Sequence, residues 1–479
     1  MRRAKIVCTL GPSSATPERI RELAQAGMDV ARLNFSHGDH AYHAGLLEQV
    51  RLASAAFDRP IAILQDLAGP KLRIGLLENH QPVRLEAGAE VELVKDEAPG
   101  NAARLSTSID LGPHLKPGDA VLLADGAFEL QVRDIRAQGV LCTVISGGVL
   151  GERKGINVPG GALDIPALSE KDFRDLEFGL EQGVDYVALS FVRRRRDVRL
   201  VRERMRYWSG RHQDRGMDTA VIAKLEKPQA IEHLEEILAV SDGVMVARGD
   251  LGVEMPLERV PALQKTIIRQ AHAHRLPAIT ATQMLVSMTR QPRPTRAEAS
   301  DVVNAVLDGS DALMLSEETA NGDYPVEAVR MLDRLIVEAE KIATSLPPAM
   351  PSGSIPEAIA AAAAQAAAAL PLDAIAAFTQ TGSTARLLSS YRPPCPIFAL
   401  TPNARTRSRL ALYWGVYPLS LPEIASTDEM ITRAEAKLLA SGCLASGNVF
   451  ALVAGAPYGV PGRTNLMKIL KAGELQDVE

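Results

Sequence analysis

Eight short apolar runs constrain this chain more than any other feature. They are KIVCTL (5–10), VARLNF (30–35), IAILQDL (61–67), YVALSF (186–191), AVIAKLE (220–226), GVMVARG (243–249), PAITATQ (277–283) and ALMLSEE (312–318). Stretches with helical periodicity lie between them. Strands alternating with helices imply parallel βαβ units, and eight such units predict a closed (β/α)8 TIM barrel. The intervals between run starts are 23 to 35 residues, except the third, which is 125. A further domain is therefore expected inside the third βα connection. Between 69 and 165 the texture changes to short β-like runs broken by Gly and Pro, such as VRLEAGAEVELVKD and DAVLLADGAFELQVRDI. These predict a small β-barrel or sandwich. Because βα loops emerge at the C-terminal end of a barrel, the insert is expected to form a lid there.

Beyond the barrel, TSLPPAMPSGS reads as a linker, and strands near DAIAAF, CPIFAL, VYPL and NVFALVAG predict a third, α/β domain. The expected division is 1–68 with 166–344 for the barrel, 69–165 for the lid and 345–479 for the C-terminal domain. No internal repeat stands out. The run AIAAAAAQAAAAL (358–370) predicts a helix rather than a membrane segment, since alanine is the best helix former. No stretch has the roughly 20 apolar residues of a membrane span. A net charge of −5 argues against a general nucleic-acid binder. The four cysteines, at 8, 142, 395 and 443, have no metal or redox spacing, so a reduced, cytoplasmic setting is expected.

In a barrel of this kind the active site lies where the strands end. Those ends carry Arg32, Asn34, Ser36 and His37; Asp66; Ser190 and Arg193; Lys224 and Glu226; Arg248, Gly249 and Asp250; Thr280, Thr282 and Gln283; and Ser316, Glu317 and Glu318. Any one of these reads as a structural polar group. Together they suit an anionic substrate with a divalent metal. In AVIAKLEKP (220–228), Lys224 and Glu226 are two apart on a strand and face the same way. Glu226 and Asp250 end neighbouring strands and are hard oxygen ligands without a His or Cys cluster, which favours Mg2+ or Mn2+ over Zn2+. The plainer alternative is a Lys224–Glu226 ion pair with Asp250 as a helix cap, which would bury charge without a task. In ARGDLGVE, Gly249 lets the backbone approach an anion.

At this point the residues closely resemble the pyruvate kinase family over nearly the whole chain. KIVCTLGPSS, VARLNFSHG, GPKLR, SEKDF, SFVR, AKLEKPQAI, ARGDLGVE, TATQML, PTRAEASDVVNAVLDGSDALMLSEETANGDYP and TGSTAR fall in the family's order. The resemblance implies phosphoryl transfer from phosphoenolpyruvate to ADP, with pyruvate and ATP as products. It implies that Lys224 stabilises the transferring phosphoryl group, that Arg32 contacts it, and that Glu226 and Asp250 hold the divalent metal. It places the backbone of Arg248–Asp250 on the substrate carboxylate and Thr282 near the carbon where the enolate is protonated. Asn34, His37, Arg73 and Lys154 would serve the nucleotide, and Asp125 would descend from the lid. A homotetramer is the family's usual assembly.

The chain departs from the family in one telling place. Where members typically read Thr-Lys-Gly-Pro-Glu-Ile-Arg, this chain reads LAGPKLR, with Lys71 for the Glu. Asn34, Ser36 and Asp66 of the monovalent-site region remain. A lysine ammonium near them would supply the charge that K+ supplies elsewhere, so the enzyme is expected not to require K+. The plainer alternative is a solvated hinge lysine. The lid also has Ala124 before Asp125 where the family often has paired aspartates.

In the third domain, AAFTQTGSTARLL (376–388) reads as strand, loop and helix. Thr379, Thr381, Gly382, Ser383 and Thr384 would cradle the phosphate of a small-molecule effector, and N-capping by Ser383 or Thr384 is the bland alternative. Arg405, Arg407 and Arg409 would assist or form a solvated face. The stretch AGAPYGVPGRTN (454–465) resembles an effector loop from which Arg463 would reach a second phosphate. Two rival readings are a Mg2+-dependent barrel lyase acting on 2-oxo acids and a non-enzymatic sensor. The first does not explain the insert or the third domain, and the second predicts lost catalytic charges.

Overall fold

The computed structural model describes residues 1–159, 166–213, 216–343, 353–424, 426–456 and 463–474. Eight strands form the predicted barrel: β1 (Lys5–Leu10), β2 (Val30–Asn34), β3 (Ala62–Asp66), β4 (Tyr186–Leu189), β5 (Ala220–Leu225), β6 (Gly243–Ala247), β7 (Ala278–Ala281) and β8 (Ala312–Leu315). They pair in parallel in sequence order, and β1 closes the ring against β8 with Lys5 opposite Ala312. Every residue of β1, β3, β6, β7 and β8 is buried, as expected for strands covered on both faces. Inside the ring, Val7, Val30, Leu64, Tyr186, Met245 and Met314 share one core, which Leu412 of the C-terminal domain plugs at the base.

β3 and β4 are direct neighbours, with Leu64 opposite Tyr186, although the insert separates them in sequence. The barrel therefore closes without the insert. The expected small barrel or sandwich is built as two sheets over one apolar core. One sheet has six strands and the other pairs Val83–Leu85 with Gly148–Leu150.

The C-terminal sheet orders β11 (Val416–Ser420), β10 (Ile397–Thr401), β9 (Ala374–Phe378), β12 (Val449–Ala454) and β13 (Leu466–Lys471). β13 alone runs antiparallel to its neighbour. Alternate residues of β9 feed different cores: Ile375 and Ala377 on one face, Ala374, Ala376 and Phe378 on the other. The alanine run is the helix Ile355–Ala369, with Ala360, Ala363 and Ala367 buried. The linker around 344–352 lies outside the described residues.

Candidate active site

Lys224 is the hub of the barrel's C-terminal rim. Its ammonium lies 2.9 Å from Glu226 Oε1 and 3.2 Å from Asp66 Oδ1, and it donates to Ser190 Oγ at 2.8 Å. Burial alone would lower its pKa, but Asp66 and Glu226 reverse that and hold the ammonium firmly charged. Arg32 completes the group. Its Nε donates to Asp66 Oδ2 at 2.7 Å and its Nη1 to Thr9 Oγ1 at 2.8 Å. Burial would raise the Asp66 carboxyl, yet Lys224 and Arg32 bring it below the usual range.

Asp250 is the poorly satisfied member. Burial, and next the charge of Glu226, push its carboxyl up to about 6, against the pull of Lys224 and Lys71. Two neighbouring carboxylates that repel one another in a buried site form a donor set suited to a hard divalent cation. Among the described residues no group of three or more His, Cys, Asp or Glu side chains is arranged to hold a metal by itself. Gly249 N–H donates to Thr282 Oγ1 at 2.8 Å, and Thr282 itself has φ 68°, a strained backbone for a β-branched residue. Arg248 braces the same turn through Thr282 O at 2.7 Å and Asp301 at 2.8 Å.

Not every strand-end residue joins this group. Thr280 turns to Ser310 Oγ at 2.7 Å in the barrel wall. Glu318 accepts from Leu285 N–H and Ser316 N–H, and Glu317 accepts from Asn321. Asn34 Oδ1 accepts from Ser36 N–H at 3.1 Å, and His37 is exposed. Arg73 and Lys154 are both exposed on adjoining segments of the insert, where Arg73 donates to Arg153 O and Lys154 O accepts from Ile74 N–H. Lys71 makes its contact upward: its ammonium lies 3.2 Å from Asp125 at the lid tip, where Ala124 and Asp125 have φ 52° and 54°.

Sequence reasoning passed over four contributors. Phe191 N–H donates to Glu226 Oε2 at 2.8 Å, and the residue adopts φ 57° to aim it there. Glu254, buried, accepts from Lys227 Nζ at 2.5 Å and from Asn157 Nδ2 of the lid at 2.7 Å. Lys227 stood in plain view in LEKP. Glu254 and Asn157 gave no signal, because their contact depends on how the insert packs on the barrel.

In the C-terminal domain the helix Ser383–Ser390 begins at Gly382, φ 91°, with no side-chain cap, so Ser383 and Thr384 are not its caps. Thr379 Oγ1 instead accepts from Gly382 N–H at 2.8 Å, Thr381 Oγ1 donates to Ser383 Oγ at 3.3 Å, and Thr384 bonds Thr464 at 2.8 Å. Arg463 is exposed, and 457–462 lie outside the described residues. Arg405, Arg407 and Arg409 do not form a free solvated face, and Arg409 lines a cavity with Thr381 and Gly382. They bind the barrel base: Arg405 and Arg409 reach Asp218 at 2.9 and 3.6 Å, and Arg407 reaches Asp58 at 2.7 Å.

Comparison with known proteins agrees with this architecture. The family description "Pyruvate kinase, barrel domain" matches residues 1–329, and "Pyruvate kinase, alpha/beta domain" matches 357–470. A pyruvate kinase of Mycobacterium tuberculosis is 47% identical over 99% of both chains. One from Clostridium acetobutylicum is 41% identical over 98% of this chain and 99% of its own. The crystal structure of a pyruvate kinase from Cryptosporidium parvum superimposes with a TM-score of 0.91 at 36% identity, covering 98% of this chain and 96% of its own.

Proposed function

The chain belongs to the pyruvate kinase family, and from that premise we propose how its residues move a phosphoryl group from phosphoenolpyruvate to ADP, giving pyruvate and ATP. The observation that carries the reading is the Lys224 ammonium, largely enclosed at the rim and held charged between Asp66 and Glu226. Phosphoryl transfer needs placed positive charge more than covalent help. Lys224 faces the transferring group. Arg32, fixed by Asp66 and Thr9, binds a second phosphoryl oxygen. Glu226 and Asp250 would hold Mg2+ or Mn2+, which when bound supplies Lewis-acid stabilisation of the phosphoryl and enolate charge.

Gly249 and Asp250 present the backbone to the substrate carboxylate. The Gly249 N–H orients the Thr282 hydroxyl beside the carbon where the enolate takes its proton. Asn34, His37, Arg73 and Lys154 serve the nucleotide, and Asp125 faces it from the lid. Lid closure excludes water and so limits loss of the phosphoryl group to hydrolysis.

The same reading takes residues 1–68 with 166–344 as the catalytic barrel, 69–165 as the lid and 345–479 as a regulatory domain. The enzyme needs no K+, because Lys71 brings a fixed positive charge to a rim where it already acts on Asp250. Its ammonium also engages Asp125, which ties that charge to the lid. The loop Thr379–Thr384, its helix left uncapped by side chains, takes a phosphorylated small-molecule effector, with Arg463 as a second contact. The working form is a homotetramer in the cytoplasm. Among the described residues no helix is long and apolar enough to cross a membrane.

The test is pyruvate formation from phosphoenolpyruvate and ADP with Mg2+ in buffer free of K+, followed by addition of K+. Strong activity before the addition supports both the transfer and the role of Lys71. Activity only after it sinks the role of Lys71. Silence in both, with phosphorylated effectors supplied, overturns the reading.

A further inference from the structure

The lid returns to the barrel through the short strand Ile156–Asn157. Asn157 is buried there, and its amide donates to Glu254 Oε1 at 2.7 Å. The same oxygen accepts from Lys227 Nζ at 2.5 Å, and that ammonium lies 5.3 Å from the centre of the Phe191 ring. Phe191 is held in a left-handed backbone, φ 57°, which an aromatic residue adopts only at a cost. What it gains is the N–H bond to Glu226 Oε2 at 2.8 Å. The ring also meets the outgoing connection at Gly69. Gly69, φ 67°, has no room for a side chain, because a Cβ there would lie 2.6 Å from Phe191 Cδ2. The outgoing connection at Gly69 thus meets this ring directly and the returning strand reaches it through Glu254 and Lys227, and the backbone of Phe191 orients one rim carboxylate.

We propose that Glu254 is a positioning residue that couples lid closure to divalent-metal binding, through Lys227, Phe191 and Glu226. The inference rests on the reading of Glu226 as a metal ligand. With the lid closed, Asn157 and Lys227 satisfy Glu254, Lys227 caps the ring, and the Phe191 N–H fixes one oxygen of Glu226 while Lys224 fixes the other. With the lid open, Glu254 loses the Asn157 bond and the ring loses one of its restraints. Partners that orient a ligand from behind typically change metal affinity by about 10–100-fold when removed. Coupling is reciprocal, so the factor by which closure tightens the metal is the factor by which the metal tightens closure.

The experiment measures Mn2+ affinity without substrates, from the electron paramagnetic resonance signal of the free ion. It also measures amide hydrogen exchange over 150–159 with and without Mn2+. The chains compared are the wild type, Glu254→Gln, Asn157→Ala and Glu226→Gln. Expected are a Mn2+-induced slowing of exchange in the wild type, affinity about tenfold weaker in Glu254→Gln and Asn157→Ala, and no slowing in either at saturating Mn2+. Wild-type affinity and slowing in Asn157→Ala overturn the coupling, and this variant decides alone if Glu254→Gln does not fold. Unchanged Mn2+ binding in Glu226→Gln instead overturns the underlying assignment of the ligand, a result the other variants cannot produce.

Discussion

The two ends of the barrel both bury carboxylates, and they use them differently. At the base an aspartate precedes each even strand and accepts an amide at the start of the odd strand before it. Asp29 takes Ile6 N–H at 2.9 Å, Asp185 takes Ile63 at 2.8 Å, Asp242 takes Val221 at 2.8 Å and Asp311 takes Ala278 at 2.9 Å. Three of them also hold a cation: Arg2 on Asp29 at 2.8 Å, Arg202 on Asp242 at 2.7 Å and Arg392 on Asp311 at 2.9 Å. Burial would raise Asp29 and Asp311, but Arg2 and Arg392 respectively bring them below the usual range. At the rim, Lys224 is shared between Asp66 and Glu226, and the charge of Glu226 helps push the Asp250 carboxyl up. The base pairs three of its four aspartates with the protein's own cations. The rim leaves part of that task to what binds there.

The largest expected effect lies at the hub. Lys224→Met should lower kcat for pyruvate formation by about 10²–10³, the range for one preorganised electrostatic donor, roughly 3–4 kcal/mol. Steady-state kinetics on folded protein reads it. At the base the loss should move to stability. Asp311→Ala leaves Arg392 buried without its partner, and breaking such a pair costs about 3–5 kcal/mol. The thermal midpoint should fall by several degrees with kcat per folded molecule unchanged.

Asp185 sharpens the comparison, because among the described residues it is the base aspartate without a direct ion pair. Burial pushes its carboxyl up to about 7, opposed first by the Ile63 N–H and then by the more distant Arg405 and Arg409. Its folded pKa lies above the ordinary 3.8, so its contribution to stability is complete below that value and is lost as pH rises through about 7. Asp185→Asn keeps an acceptor for Ile63 and carries no charge. The wild type should therefore lose up to about 4 kcal/mol relative to this variant as pH rises from 4 to 8, read as a difference of thermal midpoints. At the rim, Mn2+ affinity should fall as pH drops through about 6, because Asp250 must ionise to bind. The smallest effect is at the hinge. Lys71→Glu should lower activity without K+ by roughly tenfold, about 1.4 kcal/mol, and K+ should restore it.

The barrel was legible because buried parallel strands are continuous apolar runs, and all eight runs became strands. Their ends were read too generously. PAITATQ contributes only Ala278–Ala281, since Thr282 and Gln283 have already turned to φ 68° and 56°. The hub was legible from the period of two that sets Lys224 beside Glu226. The fourfold aspartate clamp was not, because one aspartate before a strand is indistinguishable from a turn residue until the barrel closes. β13 escaped because LMKILK is a half-exposed edge strand carrying two lysines. The Glu254 contacts escaped because one joins residues 97 apart, from the insert to the barrel, and the other joins residues 27 apart on successive barrel connections.

One paired measurement bears most directly on the contrast between rim and base: kcat for pyruvate formation in Glu226→Gln and in Asp242→Asn, at a temperature where both are folded. The account predicts a fall of about 10² or more in the first and a kcat within twofold of the wild type in the second. Equal losses in both, or an unimpaired Glu226→Gln, would contradict it.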